Sequence, residues 1–154
     1  MTTIEKRAEE LYNLTNTIKM LVLQAQMGIL EAEEGNLSIK EASFIMLLGE
    51  TGRCKMSGLA EKMGLAYSTM TGLADKLVKL GYIQRRRIEE DRRVVMVELT
   101  EQGVSFKNWL HEQSAKIFTY LLNFLNEEEQ ETLIALYRKI HKNVMADRAH
   151  GGKQ

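Results

Sequence analysis

Apolar residues recur every three or four positions from the start of the chain. Ile4, Ala8, Leu11, Thr15, Ile18, Val22, Ala25, Ile29 and Ala32 share one stripe of a long helix, roughly eight turns at the usual 3.6 residues per turn. A stripe this long has too little of its own domain to pack against. It calls for a partner helix, such as one from a second subunit, or for folding back as an arm on the chain's own core. Gly35 and Asn36, tolerant of left-handed backbone, should end it. Ser38 with Glu41 is a capping-box pair opening a second helix that bears Ala42, Ile45, Met46 and Leu48 and closes over Gly49 to Gly52. Two short helices should follow, at about 57–63 and about 67–80, joined at Gly64 and stopped by Gly81.

The period then changes. Residues 82–88 and 94–99 are β-rich runs on either side of the charged tip Glu89, Glu90, Asp91, Arg92, the pattern of a hairpin. Thr100 should cap a long helix with Val104, Ile117, Phe118, Leu121, Leu122 and Leu125 on its apolar side. Asn126 with Glu129 starts a last helix carrying Leu133, Leu136, Tyr137, Ile140 and Val144. The expected fold is mainly α with a small β hairpin. Its divisions are a helix over 1–36, a central domain over 37–100, two helices over 101–148 and a loose tail over 149–154. No internal repeat is present.

Composition narrows the function. A chain of 154 residues, 44% hydrophobic, 27% charged and without proline, is neither disordered nor collagen-like and fits one compact domain or a core with arms. Its longest apolar runs, such as 44–48 and 20–23, fall far short of the roughly 20 residues that span a bilayer. The N-terminus, with Glu5, Glu9 and Glu10, has no basic region leading into an apolar one, so a cytoplasmic location is expected. Cys54 is the one cysteine, which excludes an internal disulfide and Cys-rich knuckles and reads most simply as a buried structural thiol. His111, His141 and His150 lack the neighbours of a metal site, so no metal is expected. Nine methionines suit either irregular core space or an adaptable ligand pocket. No nucleophile with its base, phosphate loop or carboxylate pair is present, which argues against an enzyme.

Twenty-one bases balance twenty-one acids, and a net charge of zero argues by itself against nucleic acid. The distribution reverses that. Residues 1–52 hold four bases against eight acids, residues 53–93 ten bases against five, and residues 94–154 seven against eight. A basic middle lies between acidic flanks, and local field rather than the sum governs recognition.

Within that middle, Ala60, Gly64, Met70 and Leu73 have helix-turn-helix spacing: a small residue where helices cross, a glycine for the turn, and two apolar residues for the inner face of the second helix. Tyr67, Ser68, Thr69, Thr71 and Gly72 then occupy the exposed N-terminal end of that helix. In such modules this end enters the major groove. A basic hairpin directly afterwards is a wing, whose Arg92 or Arg93 suits the adjacent minor groove, with Asp91 bracing a neighbouring guanidinium.

LAEKMGLAYSTMTGLADKLVKLGYIQR at 59–85 and DRRVVMVELTEQG at 91–103 carry this chemistry, the second as D-x-R-x-x-x-V-x-L-T (Asp91, Arg93, Val97, Leu99, Thr100) followed by Gly103. On these motifs the chain resembles the MarR family of winged helix-turn-helix transcriptional regulators. The resemblance implies a homodimer that intertwines the first helix and the last two, with two winged modules on one double-stranded DNA. It implies that Ser68, Thr69 and Thr71 face the groove, that Lys76 lies near phosphates and that Arg92 and Arg93 serve the wing. The candidate DNA-binding set is Tyr67, Ser68, Thr69, Thr71, Gly72, Lys76, Arg86, Asp91, Arg92 and Arg93. A small lipophilic or phenolic anion is the kind of effector implied, with no cofactor. Gly72 departs from the family pattern, where a longer and often basic side chain is common; Gly58 stands where a polar residue is usual. A ligand-responsive repressor on an inverted-repeat operator is the reading that follows. The alternatives are a winged-helix interaction module without DNA binding and a metal- or thiol-switched regulator.

Overall fold

The computed structural model describes residues 1–33, 37–87 and 94–149. Nine elements follow in order: α1 (Thr3–Glu33), α2 (Ile39–Thr51), β1 (Cys54–Lys55), α3 (Met56–Met63), α4 (Tyr67–Lys79), β2 (Ile83–Arg87), β3 (Val95–Leu99), α5 (Glu101–Leu122) and α6 (Glu127–Ala149). The chain divides into two compact units, 1–114 and 115–154. The mainly helical fold with a small β wing is the one expected. The expected stop of α1 at Gly35 and Asn36, the hairpin tip 89–92 and the tail beyond residue 149 lie outside the described residues.

Local chemistry starts three helices as expected. At α2 the Ser38 hydroxyl oxygen accepts from the Glu41 N–H at 3.3 Å, and Glu41 Oε2 accepts from the Ser38 N–H at 2.6 Å. At α6, Asn126 and Glu129 repeat the exchange at 3.0 and 2.9 Å. Before α5, Thr100 Oγ1 accepts from the Gly103 N–H at 3.1 Å and donates to the Gly81 carbonyl at 2.6 Å, tying the helix start to the end of the α4–β2 turn.

In the first unit the core is built by Phe44, Ile45 and Leu48 of α2, Leu59 of α3, Met70 and Leu77 of α4, Ile83 of β2 and Val97 of β3, all fully buried. Each such side chain contributes about 1.5–3 kcal/mol of apolar burial. The strands β2 and β3 pair antiparallel from Ile83↔Leu99 to Arg87↔Val95. A third strand, β1, joins the far edge of β3 through Cys54↔Val97 and Lys55↔Met96, giving the order β1-β3-β2. The hairpin was expected and β1 was not; two residues are too few to show an alternation.

Three further expectations need correction. Gly49 lies inside α2 rather than at its end; the helix runs to Thr51, Gly52 caps it at φ 71°, and the Lys107 side chain of α5 packs over Gly49. The buried face of α5 is Gly103, Phe106 and Leu110, while Val104 is exposed, because the Phe106 ring packs at a tilt against buried Tyr82 with centroids 5.2 Å apart. Leu125 lies beyond the end of α5. In α1, the N-terminal half carries exposed apolar residues, with Leu11 64% accessible, and burial begins only near the C-terminal end, where Leu30 joins the core.

In the second unit, α6 holds no buried residue among those described, and Leu136 is 55% accessible, with Leu133, Tyr137, Ile140 and Val144 exposed beside it. Gln130 braces the turn before it by donating to the carbonyls of Leu122 and Leu125 at 3.0 and 2.9 Å. Among the described residues no helix is long and apolar enough to cross a membrane, and no three His, Cys, Asp or Glu residues gather as a metal site would require.

Candidate nucleic-acid interface

The turn between α3 and α4 rests on Gly64 at φ 64° and ψ 30°, a left-handed conformation in which glycine alone carries no side-chain penalty. There the Gly64 N–H reaches the Glu61 carbonyl and the Leu65 N–H the Ala60 carbonyl, each at 3.1 Å, closing α3 as a Schellman-type cap does. Ala60 is buried at the crossing, as its small size suggested. Helix α4 turns Met70, Ala74 and Leu77 inward at helical spacing, with Leu73 only half-buried.

That choice of inner face leaves Tyr67, Ser68, Thr69 and Gly72 exposed at the N-terminal end of α4, with Thr71 half-buried beside them. The Thr71 hydroxyl donates to the Tyr67 carbonyl at 2.9 Å, so its proton is taken and only its lone pairs and methyl remain for a partner. The N-cap is Ala66, whose side chain offers no acceptor, so the first amides of α4 meet no side-chain cap and retain the positive end of the helix dipole. A Cβ added at Gly72 would meet nothing within 4 Å, so the middle of the exposed face is bare.

The wing is fastened to this helix by a residue the candidate set omitted. Arg85 of β2 sends Nη1 to Asp75 Oδ1 at 2.5 Å and Nη2 to the Thr71 carbonyl at 3.0 Å, while its Nε is buried without a hydrogen-bond partner. Strand alternation could have found it. Ile83 is buried, so residue 85, two positions on, shares its side, and Arg86 faces away. On that outer side Arg86 Nε and Gln84 Nε2 both reach Glu98 Oε1 at 2.9 Å. Asp91, Arg92 and Arg93 lie outside the described residues.

Lys76 is exposed but not free: its ammonium sits 3.0 Å from Glu41 Oε2, on α2. Burial pushes the Glu41 carboxyl up, but bonds from the Ser38 N–H, Lys76 and the Ser38 side chain outweigh it and hold the group below its ordinary value. Cys54 is half-buried against the core, and burial raises its thiol above the ordinary value, with Lys62 opposing in part. Few thiolates form near neutral pH in such a site. Alkylation of Cys54 by iodoacetamide is therefore expected to be slower than that of free glutathione, and Cys54→Ser to leave duplex affinity unchanged. Rapid modification that also ended binding would reinstate a thiol switch.

The bare glycines give a stability prediction. Gly58 in α3 and Gly72 in α4 have open space where a Cβ would go and no positive φ. Alanine at either should raise stability by about 0.5–1 kcal/mol through helix propensity, read as a higher melting temperature. An unchanged or lower melting temperature would show that the chain uses the missing side chain in folding.

Between α1, α2 and α5 of the first unit lies an open cleft of about 290 Å³, walled by Leu30, Ile39, Ala42, Met46, Leu47 and Leu110. Gln26, Ser43, Glu50 and Ser114 complete it, so its ionisable lining residue is an acid.

A three-stranded sheet whose hairpin follows two helices joined at a tight turn, with the second helix presenting its polar end outward, defines a winged helix-turn-helix protein. The MarR family model matches residues 37–95. The chain is 38% identical over 98 residues to the uncharacterized HTH-type transcriptional regulator YfiV of Bacillus subtilis, an alignment covering 64% of this chain and 61% of that protein. It superposes on a MarR family protein from Bacillus stearothermophilus with a TM-score of 0.81 at 26% identity, covering 94% and 99% of the two chains. Streptococcus pneumoniae FabT, solved in complex with DNA, shares the fold with a TM-score of 0.72 at 22% identity over 92% and 98%. Residues 37–95 thus match the MarR family, and over 64% of its length the chain is similar to an HTH-type transcriptional regulator.

Proposed function

We propose that this protein is a dimeric, sequence-specific DNA-binding regulator that represses by occupying an inverted-repeat operator. The observation that carries the reading is the exposed polar end of α4, Tyr67 to Gly72, clamped by Arg85 to a basic hairpin. Ser68 and Thr69 are free to reach base edges, and Thr71 offers acceptor lone pairs. Arg92 and Arg93, which lie between β2 and β3 in sequence, would supply charge for the minor groove, with Asp91 as the acid to brace a neighbouring guanidinium and Arg86 on β2. Exposed apolar faces on α1 and, separately, on α6 support a second copy as the partner that covers them. FabT in complex with DNA supports the duplex as ligand.

An effector would enter the cleft walled by α1, α2 and α5. Its lining holds Glu50 and no base, which favours a small neutral apolar molecule over the phenolic anion that the family resemblance implies. Such a molecule shifts DNA binding only if it prefers one conformation of the protein.

Fluorescence anisotropy of a labelled duplex across a salt series tests the reading. Affinity should fall steeply with salt, and the Arg92→Ala, Arg93→Ala pair should lose tight binding while light scattering still reports a dimer. A monomer, or a double variant with undiminished affinity, would refute the respective assignment.

A further inference from the structure

We propose that Lys76 is not a phosphate contact but an internal strut, withheld from DNA by the buried carboxylate of Glu41, which is thereby a positioning residue for α4. This rests on the reading of α4 as the recognition helix. Among the described residues Glu41 is the only charged side chain counted as buried, with 5% of its surface accessible. Its Oε2 serves two elements at once, accepting from the Ser38 N–H at 2.6 Å within α2's own cap and from Lys76 Nζ at 3.0 Å on α4. A carboxylate removed from water to this degree depends on its cation, because losing one partner leaves an uncompensated buried charge. For Lys76 to reach a phosphate it would have to abandon that carboxylate. Its ammonium, though the side chain is 44% accessible, is therefore committed to the protein.

The position of the pair along α4 explains what it does. Asp75 and Lys76 are neighbours in sequence and point about 100° apart around the helix axis. Asp75 is held from β2 by Arg85, and Lys76 from α2 by Glu41. Two anchors on adjacent residues, pulling toward different elements, oppose rotation of α4 about its own axis. That roll decides whether Ser68, Thr69 and Gly72 face outward. Lys76 is accordingly removed from the basic surplus that the sequence offers to DNA.

The test uses the full chain as wild type, Lys76→Met, Glu41→Gln and the double variant, with a labelled random-sequence duplex as probe. Each lost phosphate contact lowers the slope of log affinity against log salt by about 0.9. Lys76→Met should bind more weakly at every salt concentration with the wild-type slope retained. In thermal melts the double variant should lose no more than the worse single variant, since the two substitutions break one interaction. A slope shallower by about 0.9 in Lys76→Met, or additive losses in melting temperature, would overturn the proposal. If the wild type bound no duplex, the DNA-binding reading would fail while the melts still decided whether Glu41 and Lys76 act as a pair.

Discussion

Replacing Gly103 by alanine should lower the melting temperature by about 10 °C and remove DNA binding with it, taking about 3 kcal/mol for overpacking a rigid site. Gly103 is buried in the first turn of α5, and a Cβ there would overlap the Tyr82 carbonyl oxygen, with the Tyr82 carbonyl carbon at 3.1 Å and Leu99 Cβ at 3.3 Å. The carbonyl cannot withdraw cheaply. It accepts from the Thr100 N–H at 3.1 Å, the Tyr82 N–H is bound to the Leu77 carbonyl at 3.0 Å, and the Tyr82 ring packs on Phe106. These contacts fasten the end of α4, the start of β2 and the start of α5 to one another, so strain at this point loosens the wing from α4. Differential scanning calorimetry of Gly103→Ala beside Gly58→Ala reads the effect. Equal melting temperatures for the two would contradict the close approach.

Arg85→Met should separate function from stability. The guanidinium holds Asp75 and the Thr71 carbonyl, but it is partly exposed, Asp75 is mostly exposed, and its buried Nε is unsatisfied, so replacing it with an apolar chain of similar length removes a cost along with the bonds. The net loss of stability should be about 1 kcal/mol after solvent screening. DNA affinity should fall much further, by roughly tenfold or more, because a misplaced recognition element forfeits several contacts worth about 1–3 kcal/mol each. Anisotropy and thermal melts on the same preparation compare the two losses. Wild-type affinity in a stable Arg85→Met protein would show that the wing does not depend on this clamp.

What was legible in the sequence follows from the range of the interactions involved. Capping is local: Ser38 with Glu41, Asn126 with Glu129, and Thr100 before Gly103 each place donor and acceptor three residues apart, and the first two pairs exchange bonds while Thr100 accepts one from Gly103. The Gly64 turn is equally local. Strand β1 is the opposite case, since Cys54 and Lys55 become a strand only through partners more than forty positions away on β3. The inner face of α5 is not legible in the sequence because Val104 is as apolar as its neighbours, and the Tyr82 ring decides in favour of Phe106. Among three consecutive arginines, composition cannot tell Arg85 from Arg86. The pleat can, sending one to Asp75 and the other to Glu98. Lys76 read as a phosphate ligand from its place on α4, and only tertiary packing brings Glu41 beside it.

Selection of bound duplexes from a random-sequence library by the full chain at low salt tests the central claim most directly. A two-fold dimer presenting two copies of α4 should enrich an inverted repeat with half-site centres roughly one helical turn, about 34 Å, apart. A library that returns no enriched sequence, or only a single unrepeated site, would contradict it.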